Sequence, residues 1–259
     1  MSATETVICT RNGPWVEVRM ARPPANALEL SLVDGLHAAL DACESDATVH
    51  GLLLTGNPGM FSGGLDVVDL RARGRAEIKH FWARFGELMP RLFATRLVTI
   101  AAIEGHAPAG GCVLAMLCDH RVMAEGRYKI GLNEVAVGLA VPQWLAEPYI
   151  GLVGQRVAER NLQLGRMVGP DEALAIGLVD DVVPQDAVRQ VAIDEMTLRL
   201  SVPTDARRRT KAALRGDRAA SMEAQRVAQL EALVDVWFSA ECRAVMGRLV
   251  DKLSKKKSR

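Results

Sequence analysis

Hydrophobic and polar residues alternate at every second position in two segments near the amino terminus, residues 5–10 and 15–20. This is the period of a half-buried β-strand, and the Asn-Gly-Pro sequence at 12–14 is a turn signal, so we predict a hairpin. A proline-rich loop follows. Apolar residues between 32 and 43 then recur with helical spacing, and the capping-box character of residues 31–34 predicts that a helix begins there.

Two later segments, residues 50–56 and 97–105, are almost uniformly apolar and predict fully buried strands. Shorter strands are predicted at 120–125 and 128–133. The predicted helices lie at 67–72, 76–95, from the second glycine loop to about 118, 142–152, 154–163, 170–175, 186–200, 203–215 and 219–252, with a strand or extended connection at 176–184. Apolar strands that alternate with helices indicate an α/β fold with a mainly parallel sheet, covered on both faces.

Composition narrows the class of protein. The chain has 259 residues, of which 49% are hydrophobic and 24% charged, and its net charge is +1. These values are typical of a globular protein and favour neither nucleic acid nor a membrane as partner. The basic run at 252–259 fits a frayed terminus or a small binding patch.

The cysteines and histidines show no recognisable metal-binding spacing. There are five cysteines without a C-x-x-C pair and five histidines without an H-x-x-x-H pair, so we expect reduced thiols and no metal site. The amino terminus lacks a signal core or an amphipathic presequence, and no apolar run reaches spanning length. We therefore expect a cytoplasmic protein.

Two glycine-rich segments each follow an apolar strand: FSGGLD at 61–66 and APAGGC at 107–112. Ligands bind at the carboxyl ends of strands in α/β sheets, and glycine allows close approach to the backbone. The second segment also begins a helix, whose first N–H groups are unpaired and carry the positive end of the dipole. One N–H from each segment could form an oxyanion hole; alternatively, both segments are simply tight turns.

Glu134 is a single carboxylate in the apolar segment IGLNEVAVGLAVP. Burial would raise its pKa and make it a better base near neutrality. The alternative is an exposed or ion-paired side chain. Asp66, Asp119 and Glu104 have similar alternatives, as a helix cap or in ion pairs. Ser62 is a poor candidate nucleophile, because FSGG is not a G-x-S-x-G elbow and no histidine is identifiable as its base.

Taken together, these segments resemble the crotonase, or enoyl-CoA hydratase/isomerase, superfamily, in the same order over nearly the whole chain. The resemblance is carried by PPANAL, GMFSGGLD, AIEGHAPAGGCVLAMLCDHRV, IGLNEVAVGLAVP and EALAIGLVDDVVP. Within the superfamily, the FSGGLD, PAGGC, IGLNE, AERNLQLG and PTDARRRTK segments are most similar to mitochondrial-type Δ3,Δ2-enoyl-CoA isomerases. The implied fold is a spiral of ββα turns over residues 1–200 with a helical trimerisation region at 201–259.

The resemblance also implies roles for individual residues. The backbone N–H groups of Leu65 and Gly110 would form the oxyanion hole for a thioester carbonyl, and Glu134 would be the catalytic acid and base. The residues implied to contact substrate or its CoA moiety are Ala25, Ala27, Ser62, Gly63, Gly64, Leu65, Asp66 and Gly110. An acyl-CoA substrate, a homotrimer or hexamer, and no cofactor beyond the substrate's own CoA are expected.

One departure from the family pattern bears on the reaction. Hydratases of the superfamily carry a second glutamate two residues after the second glycine of the loop, and this chain has Val113 there. We therefore expect enoyl-CoA isomerisation in fatty-acid β-oxidation without efficient hydration. Thioester hydrolysis, decarboxylation or dehalogenation by the same fold, and a catalytically silent acyl-CoA-binding protein, stay open as alternatives.

Overall fold

The computed structural model describes the backbone of residues 5–257 and the side chains of residues 5–252. The strands are β1 Val7–Asn12, β2 Trp15–Met20, β3 Gly51–Thr55, β4 Gly59–Met60, β5 Val98–Ile103, β6 Gly105–Pro108, β7 His120–Ala124, β8 Ile130–Gly131 and β9 Asp181–Val183. The helices are α1 Leu30–Ser45, α2 Val67–Ala72, α3 Arg75–Ala94, α4 Gly110–Leu117, α5 Gln143–Val153, α6 Gln155–Leu162, α7 Pro170–Ala175, α8 Val188–Ser201, α9 Thr204–Trp237 and α10 Ala240–Lys257, with a 3-10 helix at Glu134–Val137.

Two sheets carry the fold. The larger has the order β1-β2-β3-β5-β7-β9; its first pair is the predicted antiparallel hairpin, and the remaining pairs are parallel. The smaller is parallel, with the order β4-β6-β8. The chain therefore alternates between the sheets, β3 to β4, β5 to β6 and β7 to β8, before each helical segment. This confirms the predicted α/β spiral of ββα turns.

The central strands β3 and β5 of the larger sheet are buried on both faces, as their uniformly apolar sequences predict. Leu52 and Leu54 of β3 belong to the main core, whereas Leu53 between them faces a second cluster. That second cluster includes Ala192 and Met196 of α8, so α8 covers the face of the sheet opposite the main core. Within the described part of the chain, no helix combines the length and apolar character needed to cross a bilayer.

The prediction of separate helices at 203–215 and 219–252 is wrong. A single helix, α9, runs through Gly216 and packs along α3. A helical glycine costs only about 1 kcal/mol relative to alanine, so packing on either side of it outweighs the break signal. The real interruption follows Trp237. Ser239 Oγ accepts a hydrogen bond from the Cys242 N–H at 3.2 Å, an N-cap interaction that starts α10.

Two other boundaries differ from the predictions. Helix α1 begins at Leu30, and its N-cap is Glu29 rather than a residue of the 31–34 segment, because the Glu29 carboxylate folds back to accept from Ser31 N and Leu32 N. The strand predicted at 128–133 shrinks to the two residues of β8. The other short strands of this sheet, β4 and β6, were not predicted, since strands of two to four residues leave no periodicity to detect.

Candidate active site

The first glycine-rich segment and the PPANAL loop are joined by backbone hydrogen bonds. Leu28 N donates to Gly64 O at 2.7 Å, Asp66 N donates to Leu28 O at 2.9 Å, and Gly63 N donates to Ala25 O at 2.7 Å. Leu28 and Leu65 therefore form an isolated parallel bridge. These main-chain contacts hold the first glycine segment against the PPANAL loop.

Asn26 completes this connection and was not predicted as important. It is fully buried with a φ of 47°, a left-handed conformation that asparagine tolerates. Its Nδ2 donates to Phe61 O at 3.1 Å, and its carbonyl accepts from Ser62 Oγ at 2.7 Å. The signal available in the sequence was an asparagine between two alanines. It does not indicate the hydrogen-bond partners of Asn26, which lie 35 and 36 residues away.

The glycines allow the two segments to touch each other. Gly64 has a φ of +77°, and a Cβ there would lie 3.0 Å from the Cβ of Ala109 and 3.3 Å from Gly110 N. A Cβ at Gly111 would lie 2.6 Å from the Ser62 carbonyl oxygen. Side chains at these positions would separate the segments, so the glycines serve close backbone approach as well as ligand access.

The Leu65 and Gly110 N–H groups are available to a ligand. Neither donates a hydrogen bond to another residue in the described part of the chain. Gly110 is the first residue of α4, so its N–H also carries the positive end of that helix dipole. Two unpaired donors in adjacent backbone segments can stabilise an oxygen that develops negative charge.

Glu134 is buried, with only 6% of its surface exposed, and its Oε2 atom has no hydrogen-bond partner among the described residues. Burial raises the pKa of this carboxyl to about 7. It begins the 3-10 helix Glu134–Val137, which Gly138 ends in the left-handed conformation. The alternative of an exposed or ion-paired glutamate is wrong.

The pocket brings the predicted chemistry together. Leu65, Gly110, Val113 and Glu134 line it jointly, although they come from three separate segments of the chain. The remaining lining is apolar: Trp82, Phe85, Leu139, Ala140, Pro142, Trp144, Leu145 and Leu233. A desolvated carboxylate thus shares a water-poor space with two unpaired N–H donors, an arrangement suited to proton transfer next to a carbonyl group.

The residues expected to contact CoA lie around the same segments, in different environments. Ala25, Ala27 and Gly63 are partly exposed, whereas Gly64 is buried. The Ser62 side chain is fully buried and donates to Asn26 O, so its hydroxyl is occupied by the fold.

Asp66 and Asp119 have the structural roles that the sequence allowed as alternatives, helix capping and ion pairing. Asp66 caps α2 through Asp69 N and pairs with Arg22 at 2.7 Å. Asp119 pairs with Lys211 at 2.8 Å and Arg215 at 3.0 Å. Both carboxylates are therefore engaged with other side chains or backbone of the fold.

Helix α10 contacts both sides of the site, which the sequence did not predict. Arg243 Nη1 donates to the Arg71 carbonyl of α2 at 2.7 Å, and α2 directly follows the loop that carries Leu65. On the other side, Cys242 packs against Gly138, where an added Cβ would lie 3.0 Å from the Cys242 Cα. The carboxyl-terminal helix therefore rests on both the donor segment and the glutamate segment.

Comparisons with known proteins show what this chain is similar to. A model of the enoyl-CoA hydratase/isomerase family matches residues 11–256. The mitochondrial enoyl-CoA delta isomerase 1 of Mus musculus is 36% identical over 259 residues, which cover 98% of this chain and 90% of the mouse protein. A probable enoyl-CoA hydratase of Bacillus subtilis is 35% identical over 159 residues, 61% of each chain. The crystal structure of human mitochondrial delta3-delta2-enoyl-CoA isomerase matches with a TM-score of 0.94 and 34% identity, over 97% of this chain and 99% of the human one.

Proposed function

The chain belongs to the enoyl-CoA hydratase/isomerase family, and on that premise we propose that it is a Δ3,Δ2-enoyl-CoA isomerase of fatty-acid β-oxidation. It would convert a 3-enoyl-CoA into the trans-2-enoyl-CoA. The observation that carries this proposal is the single pocket shared by Leu65, Gly110 and Glu134. Similarity to the mouse and human isomerases over nearly the full chain supports the same activity.

In the first step, the thioester oxygen accepts hydrogen bonds from the Leu65 and Gly110 N–H groups. The Glu134 carboxylate takes a proton from C2, and the electron pair of that C–H bond spreads over C2, C4 and the thioester oxygen as a dienolate. Loss of one such donor typically costs on the order of 10²–10³ in rate. The pKa of about 7 makes Glu134 a stronger base than an exposed carboxylate while leaving much of it ionised near neutrality.

In the second step, the protonated Glu134 returns the same proton to C4. The double bond then lies between C2 and C3, the thioester carbonyl is restored, and the carboxylate is regenerated. One carboxylate can serve both carbons because only C3 separates C2 from C4. The steps balance in protons and electrons, so we propose that CoA takes part only as a portion of the substrate, contacted by Ala25, Ala27 and residues 62–66.

Val113 limits the chemistry of this pocket. It is 1% exposed and lines the pocket from α4, where its isopropyl group can neither orient nor deprotonate a water molecule. We therefore propose that addition of water to the 2-enoyl product is slow. The product would leave as the conjugated thioester.

We also propose that the chain assembles as a homotrimer or hexamer through residues 201–259. Two apolar side chains of α9 support an interface, since Leu214 is 70% exposed and Val227 is 60% exposed. The mass in solution, measured by light scattering during gel filtration, tests this assembly. A monomer at micromolar concentration would contradict it.

The activity is tested with 3-hexenoyl-CoA as substrate. We expect an increase in absorbance from the conjugated enoyl thioester, without release of free CoA thiol. Trans-2-hexenoyl-CoA supplied alone should lose this absorbance only slowly, because hydration is poor. Rapid thiol release would instead indicate a thioester hydrolase, and binding without turnover would indicate a silent acyl-CoA-binding protein; either result would overturn the isomerase proposal.

A further inference from the structure

The turn that carries Glu134 packs against a second segment of the chain, residues 161–168, which begins at the end of α6. Backbone hydrogen bonds join the two. Ile130 N donates to Val168 O at 3.1 Å, and Val168 N donates to Ile130 O at 2.9 Å. A Cβ at Gly131 would lie 2.7 Å from the Arg166 carbonyl oxygen, so the backbones touch here as well. The 161–168 segment therefore lies directly behind the chain that leads into the glutamate turn.

Gly165 makes the contact nearest to the base. A Cβ at this position would lie 3.0 Å from Ala136 N, 3.3 Å from Ala136 Cβ and 3.4 Å from Asn133 Cα. Asn133 precedes Glu134, and Ala136 follows it two residues later in the same 3-10 helix. Ala136 N also donates to Asn133 O at 3.0 Å, across the residue that carries the carboxylate. An atom added at Gly165 would thus press on the backbone that positions Glu134.

The 161–168 segment is held by contacts of its own. Asn161 is buried, and its Nδ2 donates to Tyr149 Oη at 3.2 Å, while Tyr149 is itself fully buried. The carbonyl of Asn161 accepts from Arg166 N at 2.9 Å. The guanidinium of Arg166 pairs with Glu172 of α7, with Nη2 and Oε2 3.0 Å apart. These contacts fix the segment independently of the glutamate turn.

The glutamate turn is the more movable of the two partners. Val135 and Ala136 are exposed, so little packs over the outer face of the turn. A close-packed contact does not absorb an added methyl group without displacement. A collision at Gly165 would therefore be relieved mainly by a shift of the turn, and the carboxylate of Glu134 would shift with it.

We propose that Gly165 is a positioning residue for Glu134, because its lack of a side chain lets the turn lie where the carboxylate faces the N–H groups of Leu65 and Gly110. This inference rests on the proposed isomerase function. The two proton transfers need one carboxylate placed within reach of both C2 and C4. A displacement of about 1 Å can cost about 10²-fold in rate, even when the substituted residue does not touch the substrate.

The conformation of Gly165 supplies a second reason for glycine, which the experiment must separate from the first. Its φ is +56°, in the left-handed region. Alanine at this position would be strained and would also carry the colliding Cβ. Asparagine tolerates the left-handed conformation but still carries a Cβ. Gly165→Asn therefore keeps the collision while relieving most of the strain, and it is the variant more certain to fold.

The experiment measures kcat and KM for 3-hexenoyl-CoA in the wild type, Gly165→Ala and Gly165→Asn, with kcat expressed per folded enzyme from circular dichroism and urea titration. We expect kcat to fall by about 10- to 100-fold in both variants, as for a misplaced catalytic group. KM should stay within about threefold of the wild-type value, since a role in placing the base affects turnover more than binding. Gly165 does not line the pocket, which supports the same expectation.

Gly13→Ala is the matched control. Gly13 has a φ of +59° in the turn between β1 and β2, and a Cβ there has nothing within 4 Å. The substitution introduces the same left-handed strain without a collision, so it should lower the urea midpoint and leave kcat unchanged.

Three results would overturn the positioning role and leave the proposed function intact. They are a wild-type kcat in folded Gly165→Asn, a rise in KM as large as the fall in kcat, and an equal loss of kcat in Gly13→Ala. Failure of the wild type to isomerise 3-hexenoyl-CoA would instead overturn the proposed function and, with it, this inference.

Discussion

The two sides of the candidate active site are built on different principles. The donor side consists of backbone N–H groups at Leu65 and Gly110. It is held by hydrogen bonds between the first glycine segment and the PPANAL loop, and by glycines that permit close contact between the two glycine segments. The acid–base side depends on one side chain, Glu134, on a single turn of 3-10 helix supported by α10.

The two sides of the site therefore depend on their surroundings in different ways. A backbone donor cannot be substituted away, so its position depends on the segments packed around it. A side-chain base can be replaced without moving the backbone, and its pKa depends on burial. Changes to the donor side should therefore act through geometry, and changes to the acid–base side through chemistry or pKa.

The largest expected effect is loss of the base. Glu134→Gln keeps the size and polarity of the side chain but cannot accept the C2 proton as a carboxylate does. We expect kcat for 3-hexenoyl-CoA to fall by about 10²–10⁴-fold, the usual contribution of a general base. Steady-state assays at pH 7 measure it, with far-UV circular dichroism to verify folding.

Glu104→Gln is the matched control, since burial also raises the pKa of Glu104, which does not line the pocket. It should retain turnover close to the wild-type value. If Glu134→Gln kept most of its activity, Glu134 could not be the base, and the asymmetry between the two sides of the site would disappear.

A geometric change on the donor side comes next in size. In Gly111→Ala the new Cβ would collide with the Ser62 carbonyl oxygen at 2.6 Å and push the two glycine segments apart. We expect kcat/KM to fall by about 10²–10³-fold, as when an oxyanion donor is lost. We also expect the free energy of unfolding to fall by about 1–3 kcal/mol from overpacking. Enzyme assays and urea titration measure these two quantities.

Gly216→Ala tests whether such effects are specific to the glycine segments. Gly216 lies within α9, and an added Cβ there has nothing within 4 Å. The substitution should leave activity unchanged and stabilise the protein by up to about 1 kcal/mol through helix propensity. Equal activity losses in the two glycine variants would argue against the donor geometry.

The sequence predicted those parts of the site that leave a local signal in the chain. Gly110 and Leu65 lie in glycine-rich segments after apolar strands, and Glu134 is a lone charge in an apolar stretch. The order and composition of these segments, combined with the family resemblance, were therefore sufficient to predict that the three residues belong to one site. The central strands of the larger sheet, β3 and β5, were predictable for the same reason, because strands buried on both faces are continuously apolar.

The features of the site that the sequence did not predict depend on contacts between distant segments. Asn26 is important through Phe61 and Ser62, which lie 35 and 36 residues away, and a single asparagine carries no pattern. The walls at Trp82 and Leu233 come from helices whose apolar positions look like ordinary core. The predicted break between 215 and 219 was wrong because tertiary packing of α9 outweighs the unfavourable helix propensity of Gly216.

The pH dependence of stability should distinguish the acid–base side from the donor side. Burial raises the pKa of the Glu134 carboxyl to about 7 in the folded state, from an ordinary value of 4.5. Its protonated form is favoured by folding, so this stabilisation is complete below about pH 4.5 and is lost as the pH rises through 7. The loss amounts to no more than about 3 kcal/mol.

Urea unfolding of wild type and Glu134→Gln at pH 5 and pH 8 measures this pH-dependent contribution of Glu134 to the free energy of unfolding. The neutral variant should gain stability relative to wild type between the two pH values, by an amount within that limit. Gly111→Ala should differ from the wild type by the same amount at both. A constant difference between wild type and Glu134→Gln would mean that Glu134 is not buried in its charged form.

The smallest expected effect comes from α10, which joins the two sides. Arg243→Ala removes the hydrogen bond to the Arg71 carbonyl while leaving the Cys242–Gly138 contact in place. We expect the unfolding free energy to fall by about 1–2 kcal/mol, typical of a hydrogen bond from a charged group. The looser placement of Leu65 relative to Glu134 should lower kcat by no more than about tenfold, since about 1.4 kcal/mol of barrier corresponds to that factor. KM should change less than kcat, which separates misplacement of catalytic groups from weaker substrate binding.

Arg248→Ala makes the same chemical change at an exposed position of α10 and serves as the control. It should leave both constants unchanged, and Arg243→Lys, which keeps the charge and a donor, should recover part of the lost kcat. Identical behaviour of Arg243→Ala and Arg248→Ala would mean that the two sides of the site hold their relative position without α10. The close contacts between the glycine segments and the turn at Gly138 would then suffice to align the donors with the base.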